Sequence, residues 1–181
     1  ACLTWSWSLL AEPERAALTQ LAVFEGGFDS AAADAVIAVQ TLPTFDLLQS
    51  LTQHSWIGLR SATGPESSSR FVLLELVRAF ALEQLQDAQA VRTRHAAYFA
   101  SFGTLDFHSK VCSQGGVEAY NELLLEIDNL AAATRSAAQT GADEVAVALL
   151  SAGDLLVDRG FRWAGWRQTI DTLHERAPEH A

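Results

Sequence analysis

The chain has little of what nucleic-acid binding or metal chemistry requires. It contains a single lysine, Lys110, and its 12 Lys and Arg face 22 Asp and Glu, for a net charge of −10 over 181 residues. Nucleic-acid binding rests on clustered cations that displace counterions from phosphates, so an acidic balance opposes both DNA and anionic membranes. The two cysteines, Cys2 and Cys112, form no C-x-x-C pair, and neither a disulfide framework nor a zinc site gains support. No apolar run approaches the roughly 20 residues of a membrane span, and no basic-then-apolar leader opens the chain, which predicts a cytoplasmic protein. Methionine is absent, so the sequence is expected to be a piece of a longer protein whose chemistry lies elsewhere.

What is present is globular: 49% of residues are apolar and 19% charged. That length suits one large domain or two small ones. In the first half, "LTWSWSLLAEPERAALTQLAVFEGGFD" gives a short apolar stretch and then a helix starting near Pro13, where proline's missing N–H costs nothing. Leu18, Leu21 and Ala22 recur at helical spacing, and Gly26 and Gly27 are read as its end. A further helix follows in "DSAAADAVIAV", capped by Asp29 or Ser30, and another in "TFDLLQSLTQHSW", with Phe45, Leu48, Leu51 and Thr52 as its apolar face.

Residues 55–60 and 70–74 alternate as strands, with Ile57 and Leu59 on one face of the first run and Phe71 and Leu73 on one face of the second. The stretch between them, "SATGPESSS", is a loop. A helix carrying Leu74, Val77, Ala81 and Leu85 on one side comes next. Helices, a two-stranded wing and another helix predict a winged-helix domain over residues 1–88.

Residues 89–181 read as all helical, so the chain as a whole is mainly α. Val91, His95, Tyr98, Phe99 and Phe102 form one stripe, and Tyr120, Leu123, Leu124, Ile127 and Leu130 another that stops at Gly141. The last stretch divides at Gly160 into two antiparallel helices, and Leu149, Ala152, Gly153, Leu156 and Gly165 fit a tetratricopeptide template with Pro178 one place late. One degenerate unit does not make an array, because a repeat needs neighbours to bury its faces.

The search for catalytic or ligand chemistry returns little. Lys110 has no glycine-rich phosphate loop around it. His108 and Cys112 are four apart but lack the further ligands of a metal site, and "HERAPEH" is interrupted by Pro178. His95 has no nucleophile at a recognisable spacing, and Asp128 and Asn129 are better read as caps between two helices. These absences predict no enzyme and no cofactor in this piece; an unrecognised site around His95 or Asp128 is the weakest of three functional readings. Trp5 and Trp7 are assigned to core packing, whereas Arg162, Trp163, Trp166 and Arg167 form a candidate partner-contact patch for a protein or small-molecule effector.

DNA binding turns on the helix over 43–56. It holds no Lys or Arg, and Asp46 adds negative charge; Gln49 and Gln53 alone cannot hold a duplex. Arg60 and Arg70 at the mouth of the wing are the nearby basic pair. DNA is therefore an unfavoured partner of this piece, and a DNA-binding winged helix with a helical dimerisation arm is the second reading.

The stretches "LTWSWSLLAEPERAALTQLAVFEGGFD", "LLQSLTQHSWIGL", "RFVLLELVRAFALEQL" and "RTRHAAYFASFG" resemble the region after the nucleotide-binding module in bacterial STAND regulators, signal-transduction ATPases that often carry LuxR-type DNA-binding domains. "EIDNLAAATRSA" and "AGDLLVDRGFRWAGW" are similar to the start of their tetratricopeptide-like region. The resemblance implies a winged helix that folds against an ATP/ADP-binding module of the parent protein and couples it to a helical sensor arm. Related animal and plant proteins carry a Met-His-Asp motif near the wing's end, matched here by Leu73, Leu74 and Glu75. Leu74 cannot donate a hydrogen bond to phosphate, so the histidine's nucleotide-sensing role does not carry over; Glu75 retains an acid for a cap or an interdomain hinge contact. The leading reading is a non-enzymatic regulatory segment with Leu74, Glu75, Arg60 and Arg70 at its interdomain surface.

Overall fold

A computed structural model describes residues 2–60, 69–157 and 170–171. The described residues form α1 (Cys2–Leu9), α2 (Glu12–Leu21), α3 (Ser30–Val36), α4 (Thr44–Gln53), strands β1 (Gly58–Arg60) and β2 (Arg70–Val72), α5 (Glu75–Gln84), α6 (Ala88–Ala100), α7 (Leu105–Cys112), α8 (Val117–Leu125), α9 (Ile127–Thr140) and α10 (Asp143–Val157). The chain divides into two compact units, Ala1–His95 and Ala96–Ala181. That boundary lies inside α6 rather than after residue 88, because Val91 is buried and Arg94 donates to the Val36 carbonyl (2.8 Å) and to Gln20 Oε1 (2.9 Å). His95, in turn, meets the edge of Phe24 at 5.1 Å.

In the first unit, Pro13 occupies the opening turn of α2, and the Glu14 carboxylate accepts the Ala11 N–H at 2.7 Å. Asp29, of the two candidates, caps α3 by accepting from the Ala32 N–H at 2.7 Å. Helix α2 packs on α3, α4 and α5. Leu18, Leu21, Phe24, Phe28, Leu47, Leu48 and Leu51 are buried at their centre, with Phe24 and Phe28 stacked at 4.5 Å. Segment 1–10 is largely a helix, α1, where the sequence suggested only an apolar stretch. Its Trp7 packs edge-on to Trp56 (6.1 Å) and Phe80 (5.5 Å), while Trp5 is exposed, so core packing holds for one tryptophan of the pair.

The wing is shorter than the alternation predicted. Ser55 takes φ 60°, Trp56 and Ile57 turn into the core before the ladder starts, and the antiparallel register runs Gly58↔Val72, Leu59↔Phe71, Arg60↔Arg70. Leu59 is exposed, so it does not share Ile57's burial. Phe28 adds a third short segment by exchanging backbone hydrogen bonds with Phe71 (3.0 and 2.8 Å). Gly27 permits this approach: a Cβ there would lie 3.1 Å from the Phe71 carbonyl oxygen and 3.2 Å from Arg70 Nε. Helix α2 has already stopped at Leu21, so the Gly26–Gly27 doublet serves the sheet and not the helix end.

In the second unit, a 3-10 turn at Ser101–Gly103 carries the chain from α6 into α7. Phe99 and Phe102 stack at 6.0 Å and Phe107 meets Phe102 at 4.9 Å. The helical stripe expected over 115–141 breaks at Glu126 into α8 and α9, and α9 ends at Gly141 (φ 74°) as its glycine predicts. Asp128 is exposed in the first turn of α9; buried Asn129 donates to Glu126 Oε2 at 2.8 Å instead of capping. Helix α10 packs on α9 and on the 3-10 turn, with Leu149, Ala152, Gly153 and Leu156 buried. The expected division at Gly160, and the template positions Gly165 and Pro178, lie outside the described residues.

Candidate interaction surface

In a helix-turn-helix the second helix of the motif is the one that meets DNA; in the winged-helix pattern read from the sequence that helix is α4, followed by the strands β1 and β2. Helix α4 turns Leu47, Leu48 and Leu51 inward. Phe45, expected in the core, is 69% exposed instead. It shares the outward side with Asp46, Gln49 and Gln53, all exposed. Between residues 29 and 56 there are three aspartates and no Lys or Arg, so the outward side of α4 is polar, apolar at Phe45 and negative.

One hydrogen-bonded cluster ties this helix to α2. The Ser50 hydroxyl donates to Glu14, and His54 Nδ1 lies 3.0 Å from the Ser50 carbonyl. Burial works against ionisation of Glu14, but the Ser50 hydroxyl, the Ala11 N–H and the nearby His54 outweigh it and hold the carboxyl below its ordinary range.

The arginines of the first unit are largely committed inward. Arg70 is buried and donates from Nη2 to the Gly27 carbonyl at 2.5 Å, so it is not a free cation at the mouth of the wing. Arg15 donates to the Trp7 (3.0 Å) and Ser8 (2.8 Å) carbonyls at the end of α1. Arg78 donates to the Phe24 carbonyl at 2.8 Å and pairs with Glu25 (3.5 Å), and Arg94 closes the end of α3 through the Val36 carbonyl. A guanidinium on the carbonyls of a helix C-terminus satisfies acceptors that the helix leaves open and complements its dipole. Sequence reading missed this role, since each donor lies 7 to 58 residues from its acceptor. Arg60, by contrast, is exposed on β1.

The remaining predicted positions do not gather into one site. Leu74 is the N-cap residue of α5 and 71% exposed, not part of that helix's buried side, which is Val77 and Ala81. Glu75 opens α5 and pairs with Arg78 at 3.6 Å with its side chain 84% exposed, so it is a contact of the α5 start and not the cap itself. Leu76 beside them is 70% exposed. Arg162, Trp163, Trp166 and Arg167 lie outside the described residues. A cleft of about 570 Å³ in the first unit is lined by Trp7, Arg15, Gln20, Gln84, Val91 and Arg94 among others. His95 is not in its lining, and His108 and Cys112 stand on α7 with no third ligand among the described residues.

Comparison with known proteins places the first unit. The chain is 40% identical over 103 residues to the "Putative HTH-type transcriptional regulator Rv0890c" of Mycobacterium tuberculosis and equally to the "Putative HTH-type transcriptional regulator Mb0914c" of Mycobacterium bovis, covering 56% of this chain and 12% of each relative. It is also 38% identical over 105 residues to the "Uncharacterized protein Rv0894" of Mycobacterium tuberculosis, over 52% of this chain and 25% of that protein. The chain thus spans between about an eighth and a quarter of these relatives. No solved structure matches it. The names of the first two relatives favour the DNA-binding reading over the coupling reading. Residues 10–86, which hold α2 to α5 and the wing, match the family described as "Winged helix-turn-helix domain", and the observed order of helices and strands is that of such a domain.

Proposed function

We propose that the chain is a regulatory segment of a larger, cytoplasmic transcriptional regulator, and that its winged helix works against a protein module of that regulator. In the form the STAND resemblance suggests, the module binds ATP or ADP, the segment itself holds no cofactor and performs no catalysis, and the second unit begins a tetratricopeptide-like arm where an effector acts. The observation that carries the protein-facing reading is the outward side of α4: Phe45, Asp46, Gln49 and Gln53, with no Lys or Arg from 29 to 56. Fold does not fix function, and a winged helix whose α4 carries no cation lacks, at that helix, the phosphate contacts on which affinity for a duplex rests. Nucleotide would bias such a contact by binding one arrangement of the two modules more tightly than the other.

The second reading, a DNA-binding winged helix with a helical dimerisation arm, draws on the family description and on the relatives' names. Arg60 on the wing is the exposed cation it would use first. Parallel titration of the chain with labelled duplex DNA and with the nucleotide-binding module of its own parent separates the two. Binding to the module alone supports the protein-facing reading; salt-sensitive binding to the duplex alone supports the other.

A further inference from the structure

The first turn of α4 carries an exposed aromatic ring on a stretch that has aspartates and no cation. Phe45 is 69% exposed and Leu42, three residues before it, is 42% exposed. Leu47, Leu48 and Leu51 already fill the core side of the helix, so the Phe45 ring has no packing duty there. The Thr44 hydroxyl donates to Asp34 Oδ1 at 2.6 Å, which holds the exposed Asp34 of α3 against the first residue of α4, while Asp46 follows Phe45 directly.

We propose that this turn is the seat of a basic segment of a protein partner. The Phe45 face receives an arginine or lysine side chain, the exposed Asp34 and Asp46 supply the negative field that favours its charge, and Leu42 meets an apolar neighbour on the same segment. The inference rests on the protein-facing reading of α4 and adds the chemistry of what it faces. Charge complementarity selects the occupant. The patch has no positive residue from 29 to 56, so phosphate is repelled, and a second copy meeting it by the same patch would set aspartate against aspartate. Arginine suits it better than lysine, because a planar guanidinium stacks on an aromatic face while its edge meets a carboxylate.

The test is a nuclear magnetic resonance titration of the whole labelled chain with a short helical peptide of arginine and leucine, a counterpart with glutamate in place of arginine, and duplex DNA. The expected result is saturable shifts centred on Asp34 and Leu42–Gln49 with the arginine peptide alone. Its affinity should fall about tenfold in Phe45→Ala and again in the Asp34→Asn/Asp46→Asn pair, as for an anchor residue of an interface. Both variants alter exposed side chains, and asparagine still accepts the Thr44 hydroxyl, so the amide spectrum elsewhere should be unchanged. Shifts scattered over the surface, or indifferent to these substitutions, overturn the docking site and leave the protein-facing reading standing. DNA shifts centred on α4 overturn both.

Discussion

The two units build their cores from different materials. The first uses large side chains, Phe24, Phe28, Leu18, Leu21, Leu47, Leu48 and Leu51, and closes the ends of α1 and α3 with arginines donating to backbone carbonyls. The second relies on Ala119, Ala131, Ala133, Ala137, Ala138, Ala146 and Ala152 around a few leucines. Bulky layers keep helix axes apart and leave terminal carbonyls that something long must reach, whereas alanine and glycine let backbones come close. The first unit is therefore expected to be sensitive to the loss of a charged donor, and the second to the addition of volume.

Substitutions can break this contrast. The largest effect is expected for Arg94→Met, which keeps much of the stem but strips the Val36 carbonyl of its guanidinium donor and leaves Gln20 Oε1 with the Ala38 N–H. Loss of charge-assisted bonds to half-buried acceptors should destabilise the first unit by about 1.5–3 kcal/mol, read as a lower denaturation midpoint by a probe within residues 1–95. Gly103→Ala should come next, at about 1–3 kcal/mol in the second unit, because its Cβ would fall on the Ala148 carbonyl of α10 and backbone must move. An unchanged second unit after that substitution would remove the close approach from the account.

The smallest effect is expected for Glu14→Gln. The Glu14 carboxyl is held below its ordinary value of 4.5, so the ionised form is favoured in the folded state. Its contribution is complete above that ordinary value and is lost as pH falls through the lower folded value. The variant should cost less than about 1.5 kcal/mol at neutral pH, from the weakened bonds to Ser50 and Ala11. The gap between variant and parent should narrow as acid protonates Glu14. A gap that is constant with pH would show that the charge of Glu14 is not what ties α4 to α2.

Much of the fold was legible in the sequence because it rests on local signals: Pro13 opening α2, Asp29 capping α3 and Gly141 closing α9. The turn formers expected as a loop fall, over 61–68, outside the described residues. The candidate surface was half legible. The absence of cations around α4 is a property of composition, but the orientation of Phe45 was misread, since the stripe Phe45–Leu48–Leu51–Thr52 competes with Leu47–Leu48–Leu51. A usable signal existed: Phe45, Gln49 and Gln53 are spaced by four and share a face, and two glutamines mark it as the outer one. The inward commitment of Arg70 and Arg94 was not legible, because their acceptors lie 43 and 58 residues away and only tertiary packing brings them together.

We propose that the winged helix of this chain faces protein and does not hold DNA. The most direct test is the affinity of the whole chain for labelled duplex DNA measured across a series of salt concentrations. The account predicts no saturable binding even at low salt, and no change when Arg60 is replaced by alanine. Saturable binding that weakens steeply as salt rises, and weakens further in Arg60→Ala, would contradict it and make the wing a DNA contact.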